Sequence, residues 1–201
     1  VALVITGPGV TNILTPMAQA RADSVPMLVI SGVNKRESLG RGMGHLHELP
    51  DQRALTRVLG PALHLEDPKA LPGVLAQAGR ALTTGRGGPV HVQIPLDLMA
   101  SPAPASVALA TPASALPDPA KALARIRTAK SPVILAGGGV IMSGGTKEAV
   151  ALAEYLHAPV ANSYLHNDSF PASHPLWVGP LGYQGSKAAM KLIAKADVVL
   201  A

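Results

Sequence analysis

Two histidines and a glutamate lie close together in one polar segment of this sequence. His45, His47 and Glu48 belong to residues 32–50, a stretch with four glycines between two apolar-patterned regions. Loops of this length are often functional. Because the ordinary pKa of histidine lies near neutral pH, these imidazoles could exchange protons with a bound molecule. The alternatives are a solvated loop and a zinc site, the latter disfavoured because His-x-His beside a Glu is not the helical H-E-x-x-H arrangement.

A second candidate site is the Gly-Pro-Gly turn at residues 7–9. It follows the apolar run at residues 1–5, which predicts a strand buried on both faces. Glycine allows a partner to approach the backbone and proline stiffens the turn, while Thr11 and Asn12 are placed to cap the next helix. A strand, a glycine turn and a helix start form the ligand-binding edge of many α/β sheets. The alternative is a tight turn without a ligand.

Composition restricts the classes of function. Hydrophobic residues make up 48% of the 201 residues, but aromatic residues only 2%, so the predicted core is aliphatic. The net charge of +5 is spread along the chain and few aromatic side chains could stack on bases, so we expect no nucleic-acid partner. The sequence has no cysteine, which excludes disulfides and thiolate metal sites and fits a reducing, cytoplasmic location. No apolar run approaches membrane-spanning length, so no membrane association is expected.

Strand and helix patterns alternate on both sides of a proline-rich segment. Residues 101–120 contain five prolines and no basic residue, which predicts a linker. The alternation predicts two α/β units with parallel sheets. Because both ends of the chain fall within apparent strands, the sequence is interpreted as a fragment. The predicted strands cover residues 1–5, 27–31, 62–65, 90–94, 133–136, 159–162 and 197–201, and the predicted helices cover residues 11–23, 51–57, 67–84, 121–129, 146–157 and 186–195.

Several other polar residues are interpreted as structural. The glycines at residues 137–139 predict a turn after a strand, with nucleotide contact as the alternative. Residues 164–185 predict a long loop, in which His174 marks a turn. A further set comprises three lysines expected on a solvated helix face and three histidines without a partner set: Lys187, Lys191, Lys195, His64, His91 and His157.

The ordered motifs resemble those of the thiamine diphosphate-dependent enzymes of the acetolactate synthase, pyruvate oxidase and 2-oxo-acid decarboxylase family. The resemblance runs over essentially the whole chain. It implies that residues 1–100 are the later part of a pyrimidine-binding domain and residues 121–201 the start of a Rossmann-like central domain. The motifs are GPGVTN (7–12), DSVPM (23–27), HE (47–48), GPVHVQIPLD (88–97), GGGV (137–140), APV (158–160), SHPL (173–176) and ADVVL (196–200).

The resemblance also implies where thiamine diphosphate and its substrate bind. Gly7, Pro8, Gly9 and Asn12 match the turn beside the cofactor, and His47 with Glu48 matches a Gln-Glu pair near the substrate. The catalytic glutamate and the ligands of Mg²⁺ and diphosphate would lie outside residues 1–201, so the fragment alone is expected to be inactive. FAD binding in the central domain is possible, and a homodimer or homotetramer is implied.

Two segments resemble different members of this family. Residues 21–57 resemble 5-guanidino-2-oxopentanoate decarboxylases, whereas residues 164–200 resemble sulfoacetaldehyde acetyltransferases, which use phosphate as acyl acceptor. The expected function is therefore cleavage or ligation of a C–C bond next to a carbonyl, on a small 2-oxo acid or related substrate. The alternative from another class is a non-catalytic nucleotide-binding α/β protein.

Overall fold

A computed structural model describes residues 1–104, 117–183 and 185–201. The chain divides into two compact units, Val1–Ser114 and Ala115–Ala201. Residues 105–116, which form most of the predicted linker, lie outside the described residues. Among the described residues, no helix is both long and apolar enough to cross a membrane.

The first unit contains a parallel four-stranded sheet in the order β1-β2-β4-β3. Since the strands are parallel, their carboxyl ends meet at one edge of the sheet. A short 3₁₀ turn, Leu96–Leu98, follows β4 at that edge. The elements are β1 (Ala2–Val4), α1 (Pro8–Asp23), β2 (Met27–Val33), α2 (Gln52–Arg57), β3 (Ala62–His64), α3 (Leu71–Thr83) and β4 (Pro89–Pro95).

The two faces of this sheet are covered by different helices. On one face, Ala78 and its neighbours on α3 pack against Val90 and Val92 of β4. Because successive strand side chains alternate between faces, Val29 and His91 point to the other face, where α1 and α2 lie. Both residues are fully buried. Helices thus cover both faces of this parallel sheet, as in the predicted α/β unit.

The first strand differs from the sequence prediction. Among the described residues, β1 pairs with β2 alone, and Leu3 is 78% exposed there. Val1 and Ile5 are also exposed, so the strand is not buried on both faces. An unbroken apolar run does not distinguish a central strand from an edge strand, because that depends on which neighbours pair with it.

The first helix also starts earlier than predicted. It begins at Pro8, with Gly7 as its N-cap, so Thr11 and Asn12 lie within the helix and do not cap it. The amide of Thr11 donates to the carbonyl of Gly7 at 3.0 Å, which is the first helical hydrogen bond. Proline is well suited to this start, since it has no amide hydrogen to leave unpaired and its φ is already helical.

The second unit contains another parallel four-stranded sheet, in the order β7-β6-β5-β8. Its core packs Ile134, Val160 and Phe170 with Ala153. The two parallel sheets confirm the predicted fold class. The described elements are α4 (Ala120–Thr128), β5 (Pro132–Ala136), α5 (Gly138–Met142), α6 (Thr146–Leu156), β6 (Val160–Asn162), β7 (Trp177–Pro180), α7 (Lys187–Lys195) and β8 (Val198–Leu200).

Two predicted loops of this unit contain regular structure. The glycine turn at residues 137–139 leads directly into α5, which begins at Gly138. The loop predicted over residues 164–185 contains β7, in which the indole Nε1 of Trp177 donates to Asn162 Oδ1 on β6. A four-residue strand with glycine and proline has no recognisable alternation, so its pairing partner decides its structure.

Candidate functional site

Gly7 lies at the carboxyl edge of the first sheet, immediately beyond β1. Its φ is +64°, a conformation that other residues rarely adopt. A Cβ added to Gly7 would lie 2.4 Å from the carbonyl oxygen of His47. Glycine is therefore required here by the approach of the loop backbone, and the two segments selected from the sequence lie in contact.

The other residues of the predicted cofactor turn have less enclosed positions. A Cβ on Gly9 would lie 3.0 Å from Ile5 Cγ2, so this glycine allows α1 to pack closely on the end of β1. Pro8 and Asn12 are exposed on the first turns of α1. The structure thus brings Gly7 to the loop that carries His45, His47 and Glu48, which we call the histidine loop, while Pro8 and Asn12 lie on the helix surface.

Glu48 holds the histidine loop in shape. Its carboxylate accepts hydrogen bonds from the amides of His45 at 2.9 Å and Met43 at 3.2 Å. These bonds, that of His45 foremost, lower the pKa of the Glu48 carboxyl below its ordinary value. The carboxylate is therefore ionised at neutral pH and occupied by its own loop, which favours anchoring over proton transfer.

His45 and His47 line a cavity of about 590 Å³ at this edge of the sheet. Asn34, at the end of β2, donates to the carbonyl of Leu46 at 3.2 Å and holds the loop against the cavity. His47 has a φ of +60°, which a loop must stabilise by such contacts. The apolar wall comprises Val4, Ile5, Leu46, Leu96 and Met99, and the polar lining comprises Thr6, Asn34, Lys35, Glu37, Ser38, His45 and His47.

Thr6 contributes an unpartnered polar atom to this cavity. Its Oγ1 is buried and has no hydrogen-bond partner within the described residues. A buried hydroxyl without a partner is costly, so such a group is a natural contact for a polar ligand. Thr6 was not selected from the sequence, where a threonine at a strand end carries no distinguishing signal.

A buried set of four polar side chains adjoins the Gly7 turn. Gln52, Ser31, His91 and Thr56 form a continuous chain of hydrogen bonds, which we call the buried relay. Its first link is the bond from the Gly7 amide to Gln52 Oε1, 2.9 Å long. Sequence reasoning missed the relay, although one signal was available: Gln52 and Thr56 are four residues apart, which places them on one helix face.

His91 is a core residue of the relay. Both ring nitrogens have partners at 2.8 Å, Nε2 with Ser31 Oγ and Nδ1 with Thr56 Oγ1. Burial lowers the pKa of His91 to about 4, so the ring is neutral at pH 7. This buried position agrees with the interpretation of His91 from the sequence as a structural residue.

Gly137 and Gly138, the first two glycines of the turn at residues 137–139, pack against residues of their own unit. A Cβ on Gly138 would lie 2.6 Å from His166 Nε2, so the histidine ring occupies the space that the glycine leaves. Ser163 Oγ lies 3.3 Å from His166 Nδ1 and helps to orient that ring. This close contact favours the structural interpretation of the turn over nucleotide contact.

His174 likewise has partners within its own unit. Its Nδ1 accepts from the amide of Leu176 at 3.2 Å, and its Nε2 lies 3.3 Å from Glu154 Oε1. The three lysines of α7 are exposed, as predicted. Over residues 1–104, 117–183 and 185–201, no group of three or more His, Asp or Glu side chains could hold a metal ion.

Comparison with protein families matches both units. Residues 1–55 match the thiamine pyrophosphate enzyme N-terminal TPP binding domain, and residues 119–201 match the thiamine pyrophosphate enzyme central domain. Together the two matches cover more than half of the chain. This chain belongs to the thiamine pyrophosphate enzyme family. The resemblance predicted from the ordered motifs is thereby confirmed.

Curated relatives in this family have different activities. The chain is 43% identical to a sulfoacetaldehyde acetyltransferase of Castellaniella defragrans, aligned over 97% of the chain and 33% of the relative. It is 42% identical to a probable 2-ketoarginine decarboxylase of Pseudomonas aeruginosa, over 100% of the chain and 36% of the relative. A probable acetolactate synthase large subunit of Methanocaldococcus jannaschii is 34% identical, over 98% of the chain and 35% of the relative. The chain spans about a third of the length of these thiamine pyrophosphate enzymes.

A solved structure supports the same assignment. A protein from Mycobacterium smegmatis, assigned as a thiamin diphosphate-dependent enzyme, superposes with a TM-score of 0.76 at 27% sequence identity. The superposition covers 98% of this chain and 39% of that chain. The superposition therefore includes residues of both α/β units of this chain.

Proposed function

We propose that this chain is part of a thiamine diphosphate-dependent lyase or transferase that cleaves or forms a C–C bond next to a carbonyl. One observation carries the proposal. Thr6, directly before the Gly-Pro-Gly turn, lines the same cavity as His45 and His47, and Gly7 packs on the His47 backbone. Two motifs that carry the family resemblance, at residues 7–12 and 47–48, thus border one site.

The residues at this edge fit the pyrimidine end of the cofactor. Thr6 Oγ1 offers a buried hydroxyl without a partner, and Val4, Ile5, Leu96 and Met99 offer an apolar wall for a flat ring. Gly7, Pro8, Gly9 and Asn12 remain the proposed cofactor-side residues, with Gly7 acting through its shape. When bound, thiamine diphosphate would supply the carbanion-stabilising chemistry that bond cleavage or formation beside a carbonyl requires.

The chain's own residues then have separate tasks. The imidazoles of His47 and His45 hold or deliver a proton at the cavity, since an imidazole nitrogen can accept a proton or donate one. Glu48 keeps these imidazoles in place by bonding the loop amides. The apolar wall limits the access of water to the reacting carbonyl, which strengthens polar interactions inside the site.

The test is a calorimetric titration of the full-length protein with thiamine diphosphate and Mg²⁺, with ATP and NAD as matched ligands. We expect saturable binding of thiamine diphosphate and no binding of ATP or NAD. Binding of ATP or NAD without thiamine diphosphate would instead support the non-catalytic nucleotide-binding protein.

The substrate is proposed to be a small 2-oxo acid, with sulfoacetaldehyde as the second candidate. The similarity to the 2-ketoarginine decarboxylase and to the acetyltransferases is nearly equal. The cavity also carries both Lys35, which would attract a sulfonate or carboxylate, and Glu37, which would attract a guanidinium group. Release of CO₂ from 5-guanidino-2-oxopentanoate would support the decarboxylase. Formation of acetyl phosphate and sulfite from sulfoacetaldehyde and phosphate would support the acetyltransferase.

The remaining properties of the whole protein are proposed from the family resemblance. They are a homodimeric or homotetrameric assembly, a cytoplasmic location, and Mg²⁺ held by residues outside 1–201, with FAD as a possible second cofactor. Light scattering of the purified full-length protein measures the assembly, and its visible absorption spectrum reveals a bound flavin.

A further inference from the structure

We infer that Gln52 is a positioning residue that fixes the Gly7 turn, and with it the approach of the His47 backbone, through the buried relay of Gln52, Ser31, His91 and Thr56. The inference concerns a residue outside the family motifs quoted above. It rests on the proposed function to the extent that the Gly7 turn borders the cofactor site.

The side-chain amide of Gln52 makes three hydrogen bonds. Its Oε1 accepts from the Gly7 amide at 2.9 Å, while its Nε2 donates to Ser31 Oγ at 3.0 Å and to the carbonyl of Gly32 at 2.9 Å. The side-chain orientation is fixed by the two backbone partners, because a flipped amide would oppose donor to donor and acceptor to acceptor. Gln52 is only 4% exposed, so water does not replace these bonds.

The hydrogen bonds of the relay all run in the same donor-to-acceptor direction. Thr56 Oγ1 donates to the carbonyl of Arg53 at 3.1 Å, so it accepts from His91 Nδ1–H. The other ring nitrogen then accepts from the hydroxyl of Ser31, which in turn accepts from Gln52. Every member donates toward Thr56, and this order requires a neutral His91 protonated on Nδ1.

The relay determines what Gly7 can offer to a ligand. The Gly7 amide is bound to Gln52 and the Gly7 carbonyl accepts from Thr11, so both backbone polar groups have partners in the chain. Gly7 therefore shapes the site without hydrogen-bonding a ligand. Gln52 holds the backbone amide of Gly7 toward the core. The His47 carbonyl occupies the space beside the Cα of Gly7.

A connected hydrogen-bond network of this kind favours a single arrangement of its side chains. Ser31, His91 and Thr56 are 1%, 0% and 0% exposed, and each alone would be costly to bury. Together they satisfy one another, and a change at one member disturbs the next. The turn is thus linked to two central strands and to α2.

The test compares three variants of the full-length protein. Gln52→Met removes all three hydrogen bonds at similar side-chain length. Ser31→Ala removes the two bonds that Ser31 makes, to Gln52 and to His91, but leaves the Gly7 bond. The matched control is Gln93→Met, because Gln93 is also buried, at 6% exposure, but bonds His64 and has no bond to the turn.

The first measurement is hydrogen–deuterium exchange without cofactor, read by mass spectrometry over residues 5–12. Gln52→Met is expected to accelerate exchange there by about tenfold, in line with the loss of a buried hydrogen bond. Ser31→Ala is expected to have a smaller effect, and Gln93→Met none. Unchanged exchange in Gln52→Met would overturn the inference. If that variant does not fold, unchanged exchange in Ser31→Ala would overturn it.

The second measurement is the affinity for thiamine diphosphate. Gln52→Met is expected to weaken binding about fivefold to tenfold, and Gln93→Met to leave it unchanged. Faster exchange with unaltered affinity would overturn the positioning role at the site. If the wild-type protein binds no thiamine diphosphate, the proposed function fails, and the exchange data still decide whether Gln52 fixes the turn.

Discussion

At the residue scale, the site depends on a glycine that has no room for a methyl group. Gly7 combines a φ of +64° with a backbone oxygen of His47 at 2.4 Å from its virtual Cβ. The first property strains any other residue, and the second forces the histidine loop to move. Gly7 therefore couples the turn to the loop that carries the candidate proton-transfer groups.

Gly7→Ala is expected to destabilise the protein by about 2–6 kcal/mol, the combined cost of backbone strain and a steric collision. Urea unfolding followed by circular dichroism measures this loss. Gly85→Ala is the matched control, because Gly85 has a φ of +66° but open space around its Cβ position. Equal losses in the two variants would contradict the role assigned to the His47 contact.

His47 can be tested without straining its backbone. Both His47 and His157 have positive φ, which asparagine adopts readily. His47→Asn is expected to lower kcat of the full-length enzyme by about a hundredfold, the usual scale for losing a proton-transfer group, with a much smaller change in cofactor affinity. His157→Asn, at an exposed helix end in the second unit, is the control. Unchanged steady-state kinetics in His47→Asn would remove His47 from the site.

At the element scale, α2 connects the sheet to the turn. Asp51 caps this helix by accepting from the amide of Ala54 at 2.9 Å. The helix presents Gln52 to Ser31 on β2 and Thr56 to His91 on β4, so it binds two central strands through polar contacts. A helix of six residues is stabilised mainly by such tertiary contacts.

These contacts predict a pH-dependent stability. The folded-state pKa of His91 is about 4, against an ordinary value of 6.5, so the unfolded chain binds the proton first. The stability contributed by neutral His91 is complete above pH 6.5 and is lost as the pH falls toward 4, by up to about 3 kcal/mol. Urea unfolding at pH 7 and at pH 4.5 measures the difference.

A variant isolates the contribution of His91 from that of other groups. Burial also lowers the pKa of His64, which adds a change of the same sign. His91→Gln is expected to be less stable than the wild type at pH 7 but to lose less stability on acidification. An identical loss in wild type and variant would show that another group causes the pH dependence.

At the scale of the whole molecule, the candidate cavity belongs to one unit. All its lining residues fall between Val4 and Met99, within Val1–Ser114. The second unit has its own sheet and core, and its conspicuous glycine turn packs against His166. The chain spans about a third of its curated relatives, so cofactor binding has to be measured on the full-length protein.

Addition of thiamine diphosphate to the full-length protein is expected to slow hydrogen–deuterium exchange in residues 5–12 and 43–48, because these segments border the cavity. The helix Thr146–Leu156 of the second unit serves as the internal reference and should exchange at an unchanged rate. Protection confined to the second unit would contradict the assignment of the cavity and favour a nucleotide-type site there.

The sequence by itself determined the fold class and the family. The mainly apolar run at residues 27–31 predicted a buried strand, because burial on both faces requires continuous hydrophobicity. The order of short motifs identified the family, since each motif depends on a local backbone geometry that neighbouring residues determine. The histidine loop and the Gly-Pro-Gly turn were both selected at this level.

Only the tertiary structure decided which of these residues meet and what each one does. The edge position of β1 depends on strand pairing, which the run at residues 1–5 does not encode. Glu48 bonds its own loop, and Gly7 makes room for His47, because of distances set by the packed sheet. Ser31 and His91 interrupt apolar strands without a readable pattern, and they join Gln52 only when parallel register places β2 beside β4. Hydrogen bonds between distant segments arise from that register, and the spacing of Gln52 and Thr56 indicates only that they share a helix face, not which strand residues they meet.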